Sequence, residues 1–242
     1  MDIHSEKLTA LKVKIFAVGS AQDDMIALSK LPYIKGFTTN PSLMHKAGVT
    51  HYEEFARSVL SQITDKPISF EVFSDDLQTM EAQARTISSW GSNVYAKIPV
   101  TNTHGESTYT VVENLTRDGI KVNLTAVLTL EQVEHTLGAF SGNTPGILSI
   151  FAGRIADTGV DPLPLMKEAK VRMASKPQVE LLWASSREMY NIFEAESIGA
   201  DIITVSFDIL KKVDMLGRDL TDVSLDTVKT FFADSTASGF SL

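Results

Sequence analysis

Short apolar runs alternate with stretches whose apolar residues return every third or fourth position, from one end of the chain to the other. The first run covers residues 13–18 and is closed by Gly19-Ser20, with Ser20 or Asp23 placed to cap a helix over residues 24–31. The second, residues 36–39, stops at Asn40-Pro41. Tyr52, Phe55, Ala56, Val59, Leu60 and Ile63 fall on one face of a helix over residues 52–63. Pro67 precedes the third run, residues 68–73, and Asp75 and Asp76 open a helix over residues 77–90. The fourth run lies within residues 93–102 and carries Lys97 in its middle. A helix over residues 105–117 ends at Gly119, before the fifth run at 121–127. Thr129 caps the next helix, residues 130–137. The sixth run, 146–152, leads through a loop at 153–162 into a helix at 164–173. The seventh, 179–184, precedes a helix at 187–198 that Gly199 stops, and the eighth is 202–205. A short helix near 208–213 and a longer one at 225–238 finish the chain.

Eight strand-then-helix units predict a parallel sheet joined by right-handed crossovers. Eight such units close a (β/α)8 TIM barrel, here α/β with an extra C-terminal helix, read as one domain over residues 1–242. The competing architecture, an open doubly wound sheet, usually shows a glycine-rich phosphate loop. Neither GxGxxG nor GxxxxGK[ST] occurs.

Composition narrows the function classes. At 242 residues and 43% apolar content, the chain can bury one substantial core. A net charge of -8 argues against a general nucleic-acid or anionic-membrane surface, while leaving room for a local anion pocket. With no cysteine, disulfides, thiolate metal sites and a cysteine nucleophile are excluded. No signal-peptide-like apolar core and no run of about 18 apolar residues is present, so a soluble cytoplasmic protein is expected.

Lys97 is the first chemical candidate. Burying an ammonium is costly and favours the neutral amine, the form that attacks a carbonyl to make a Schiff base. A lysine that packs its stem and snorkels its head to the rim is the plain alternative. Other polar residues interrupt the apolar runs: Thr38 and Asn40 end the second, Glu71 sits in the third, Asn123 and Thr125 share a face of the fifth, and Ser149 and Phe151 share a face of the sixth. Each alone reads as a hydrogen-bonded core residue. Together, at the C-terminal mouth of a barrel, they read as a site for carbonyl chemistry. Arg154 follows the sixth strand, and Arg187 follows the seventh beside Ser185 and Ser186, where barrels often bind phosphate. Ion pairing with Asp157 or Glu188 is the structural alternative. The five histidines show no metal-ligand spacing, so no metal is expected.

The segments GFTTNPSLM, SFEVF, VYAKIPVTN, KVNLTAV, SIFAGRIADTG and LLWASSRE occur in this order. On them the chain resembles the transaldolase family, near the small transaldolases and fructose-6-phosphate aldolases, from about Lys14 to the C-terminus. The resemblance implies a Schiff-base α/β barrel of carbohydrate metabolism, in the pentose phosphate pathway, that needs no cofactor or metal. It matches Lys97 to the Schiff-base lysine, and Glu71 with Thr125 to the pair that holds a catalytic water. Asn40 and Ser149 match donor-binding groups, with Thr38 and Asn123 beside them, and Arg154, Ser185 and Arg187 match the phosphate end. Phe151 and Glu71 stand where the aldolase branch carries tyrosine and glutamine, which favours a transaldolase. One position departs from the pattern: Val18 occupies the place of an aspartate that usually ends the first strand.

The expected activity is therefore transfer of a dihydroxyacetone unit from a ketose phosphate, such as fructose 6-phosphate or sedoheptulose 7-phosphate, to an aldose phosphate. A fructose-6-phosphate aldolase, or a transaldolase for another anionic ketose such as a sulfonated one, uses the same pocket. A non-catalytic sugar-phosphate binding protein is the reading that Val18 motivates. The tail helix, with Val228, Phe231 and Phe232 on an apolar stripe, could cover the barrel's own helices. The resemblance implies instead that it reaches a neighbouring subunit in a homo-oligomer, a pentamer or decamer fitting that family.

Overall fold

Alternation with period two decides how each strand divides its residues. The computed structural model describes residues 3–19 and 21–239, and in it eight parallel strands close into a barrel in chain order. They are β1 (Lys14–Gly19), β2 (Ile34–Thr39), β3 (Ile68–Glu71), β4 (Val94–Pro99), β5 (Val122–Val127), β6 (Gly146–Ile150), β7 (Val179–Trp183) and β8 (Ile202–Val205). β1 pairs with β8 through Lys14↔Ile202 to Ala17↔Val205, which closes the ring.

Two apolar cores result. Outward residues such as Ala17, Phe37, Phe70, Ala96, Ile98 and Leu124 are fully buried against the surrounding helices. Inward residues Phe16, Ile147, Leu182, Ala184 and Ile202 form a separate cluster inside the barrel, with Tyr95 and Phe151 against it. Gly36 is obligatory there, because a Cβ on it would lie 2.5 Å from the Phe16 ring. Hydrocarbon thus plugs the barrel at mid-height, a charged rim with Lys14 paired to Glu180 lies at its N-terminal end, and a second set of polar inward positions lies toward the C-terminal ends of the strands.

The helices are α1 (Ile3–Thr9), α2 (Gln22–Ser29), α3 (Pro41–Lys46), α4 (Tyr52–Gln62), α5 (Leu77–Ser88), α6 (Tyr109–Arg117), α7 (Leu130–Ala139), α8 (Ala152–Asp157), α9 (Leu163–Met173), α10 (Asn191–Ser197), α11 (Phe207–Leu210) and α12 (Leu220–Ser238). Phe55, Ala56, Val59 and Leu60 are buried along α4, as the spacing predicts. Phe55, Val59 and Leu60 each contribute about 1.5–3 kcal/mol of burial. Asp76 caps α5 by accepting from Thr79 N, and Thr129 with Gln132 forms a capping box on α7.

Several boundaries differ from the sequence reading. α2 starts at Gln22 with Ala21 at its N-cap and no side-chain cap, so Asp23 belongs to its first turn. Ser20 lies outside the described residues. The stretch after Asn40 forms α3, with Pro41 in its first turn and Asn40 as the cap. α8 occupies the start of the expected loop 153–162. α10 begins at Asn191 rather than residue 187, because the Asn191 side chain accepts from the backbone N–H groups of Arg187 and Glu188 and holds them in a turn. α12 starts earlier than the periodicity suggests, where the Asp219 carboxylate caps Thr221 and Asp222. None of the described helices is long and apolar enough to cross a membrane.

Candidate active site

Parallel strands deliver all their C-terminal ends to one mouth. A cavity of about 250 Å³ opens there. Its β2–β6 side carries Thr38, Thr39, Asn40, Lys97, Thr125 and Ser149, and Phe151, Arg154, Ser185 and Arg187 line it at the loops beyond β6 and β7. Val18, Leu182, Ala184 and Thr204 complete the β7–β8–β1 side.

Lys97 lies in register with Glu71 on one neighbouring strand and Asn123 on the other. Registered residues of a parallel pair face the same way, so all three point inward. The Lys97 ammonium donates to Glu71 Oε2 at 3.0 Å and to the Thr39 carbonyl at 3.3 Å. Both side chains of the ion pair are sheltered, 12% exposed for Lys97 and 23% for Glu71. The surroundings of the amine are therefore polar, in contrast to the apolar slot that the strand's composition suggests. An ion pair so close can pass its proton directly from nitrogen to oxygen.

Asn123 stands behind the cavity wall. Its Nδ2 donates to Ser69 Oγ at 3.0 Å and its Oδ1 accepts from Ser149 Oγ at 2.6 Å. This fully buried chain across β3, β5 and β6 fixes the Ser149 hydroxyl at the cavity. Thr125 Oγ1 is buried and has no hydrogen-bond partner among the described residues. It follows Asn123 by two positions and precedes Ala126, whose φ of 64° marks the irregularity between β5 and β6. A bulge of this kind re-aims a side chain at a strand's end. Asn40 Oδ1 accepts from Leu43 N at 3.1 Å as the cap of α3, which turns its Nδ2 into the donor it can present to a ligand.

The two arginines differ. Arg187 pairs with Asp157, its Nε lying 3.2 Å from Oδ1. Arg154 makes no ion pair among the described residues and lays its guanidinium over the Phe151 ring, 5.6 Å from the centroid. Their placement depends on a tight junction. Gly153 packs under Ser185, where a Cβ would come 1.7 Å from the Ser185 carbonyl oxygen, and Ser185 itself has φ 64°. No other residue fits at 153 without moving the backbone of the loop after β7.

Every candidate except Glu71 and Asn123 lines the cavity, and those two bond to residues that do. Four lining residues escaped the sequence reading as candidates: Leu182 and Ala184, since an apolar wall and a core look alike in a strand, and Thr39 and Thr204. Tyr52 escaped it as well. Its phenol reaches from α4 to the backbone of Glu71, and burial, the largest influence, pushes it up to about 12.

The fold and site define a (β/α)8 barrel with a sheltered amine–carboxylate pair at its mouth and guanidinium groups at the rim. The chain belongs to the transaldolase/fructose-6-phosphate aldolase family, whose profile matches residues 18–241. It is 34% identical over 229 residues to a "Probable transaldolase" of Ruegeria sp. (strain TM1040), covering 94% of this chain and 99% of that one. A "Probable transaldolase" of Methanococcus maripaludis (strain C7) is 32% identical over 223 residues, covering 92% and 97%. Among solved structures, a mandelate oxidase mutant superimposes with a TM-score of 0.56 at 15% identity, over 81% of this chain and 65% of that one. That likeness concerns the barrel fold alone.

Proposed function

We propose that this chain is a transaldolase that carries a dihydroxyacetone unit on Lys97. The observation that carries the reading is the Lys97 Nζ–Glu71 Oε2 contact of 3.0 Å beside a cavity rimmed by Arg154 and Arg187. Glu71 takes the ammonium proton, and the freed amine attacks the ketone carbon of a ketose phosphate. The carbinolamine expels water as Glu71 returns a proton, with the unpartnered Thr125 hydroxyl holding the water that relays it. In the iminium, the C3–C4 bond breaks. Its electron pair flows toward nitrogen to give an enamine, the C4 hydroxyl loses its proton through the same relay, and an aldose phosphate leaves. The acceptor aldehyde then adds to the enamine by the reverse steps. Arg154 and Arg187 hold the phosphate and so place the reacting carbon, a source of large rate gains.

Incubation with fructose 6-phosphate and borohydride tests this, followed by transfer to erythrose 4-phosphate. The expected result is a reduced three-carbon adduct on Lys97 and transfer that Lys97→Met abolishes. Transfer by Lys97→Met would sink the reading. Release of free dihydroxyacetone without acceptor would mark an aldolase, and preference for a sulfonated donor would change the substrate while keeping the chemistry.

The proposal includes a homo-oligomer. α12 has no buried residue, and Leu220, Phe231 and Phe232 are 82%, 67% and 75% exposed. A stripe of that size in water favours association. Sedimentation at micromolar concentration should give a multiple of the 26.5 kDa chain, and a monomer would exclude it.

A further inference from the structure

We propose that Tyr52 is a positioning residue for the Lys97–Glu71 pair, replacing the strand partner that β3 loses at its open end. This inference rests on the Schiff-base reading of Lys97. The ladder between β2 and β3 runs through Phe37↔Ile68 and Thr38↔Ser69 and then stops. In a parallel sheet, the N–H and C=O of a residue point to the same neighbour, and successive residues alternate sides. Val72 N donates to Lys97 O on the β4 side, so the backbone of Glu71 faces β2. Continuing the register would make Glu71 donate to the Thr39 carbonyl and accept from residue 41. Residue 41 is Pro41, which has no N–H, and the chain has already turned into α3.

Tyr52 fills both vacant roles with one hydroxyl. Glu71 N donates to the phenol oxygen at 2.8 Å, and the phenol donates to the Glu71 carbonyl at 3.3 Å. Thr39 O is thereby left to accept from Lys97 Nζ. One group therefore sets the height of the Glu71 carboxylate and releases the carbonyl that steers the amine. The ring is itself held edge-on by Phe70, Phe73 and Trp90, with centroids 6.0, 4.6 and 5.8 Å away. Tyr52 does not border the cavity at the mouth, so its effect passes through Glu71 and Lys97.

Tyr52→Phe keeps the ring contacts and removes only the hydroxyl. Single-turnover trapping with fructose 6-phosphate and borohydride should slow by about tenfold, the scale of one lost hydrogen bond, with donor KM within about twofold of the parent. In a Glu71→Gln background, where the carboxylate is gone, Tyr52→Phe should add little further loss. A merely structural role would instead cost the same factor in both backgrounds, or raise KM, and either result overturns the proposal. So does an unchanged trapping rate in Tyr52→Phe. Hydrogen exchange on the unmodified chain provides an arm that needs no variant. The Glu71 amide should be protected although its strand pairing has ended, and rapid exchange there overturns the proposal even if Tyr52→Phe fails to fold. Absence of any Lys97 adduct on the unmodified chain would instead overturn the functional reading, and the role of Tyr52 with it.

Discussion

The two sides of the cavity are built from the same kind of strand and yet differ in kind. On the β2–β6 side, polar groups are tied to one another: Lys97 to Glu71 and Thr39, and Ser149 through Asn123 to Ser69. On the β7–β8–β1 side stand Val18, Leu182 and Ala184, with Thr204 the polar exception. The proposed proton transfers run along the first side. The second offers an apolar wall, and low polarity there strengthens the electrostatics of the first. In the proposed reaction, acid–base work is confined to one half of the barrel, and the arginines hold the substrate across both.

The strongest way to break this comparison is Glu71→Gln, which keeps the side chain's size and removes its acid–base capacity. Loss of a positioned acid–base group costs about 10²–10⁴ in rate, so turnover with fructose 6-phosphate should fall within that range. A smaller loss would mean that protons travel by another route. Gly153→Ala attacks the junction between the sides, where the new methyl meets Ser185 O. Overpacking of this sort costs about 1–3 kcal/mol. A thermal melt should therefore drop by roughly 3–10 °C, and an unchanged melt would show that the junction yields freely.

Smaller effects separate the arginines. Arg154→Met should raise KM for a phosphorylated donor by about ten- to a hundredfold, on the scale of a charged hydrogen bond. Arg187→Met should cost less, because Asp157 already offsets its charge. Equal losses would deny that difference. Val18→Asp is expected to have the smallest effect, a rise in kcat of about tenfold or less. It adds a carboxylate to a side without one while Glu71 already serves the reaction. No gain would show that the apolar side limits nothing.

Lys97 was legible because a lone charge in an apolar strand is conspicuous. Asn123, Thr125 and Ser149 were legible as neutral polar residues within apolar strands, and alternation placed each on a shared face with its neighbour two positions away. The ion-paired state of Lys97 was not, since its partner stands on another strand, and neither was the commitment of Asn40 to the cap of α3. Leu182 and Ala184 were invisible as cavity lining. They belong to the inner plug and border the cavity only because they stand at its upper end, a height that depends on strand stagger.

What the sequence by itself determined is the order of elements, the barrel they close and the inward face of each strand. These follow from periodicities of a few residues, which neighbouring side chains impose locally. Only the tertiary structure decided which inward groups meet: Glu71 with Lys97, Thr39 with the amine, and Tyr52 with the end of β3. Those contacts depend on register between strands and on where a ladder stops. Register is settled by closing the ring and packing both cores at once, a condition that no short stretch of chain contains.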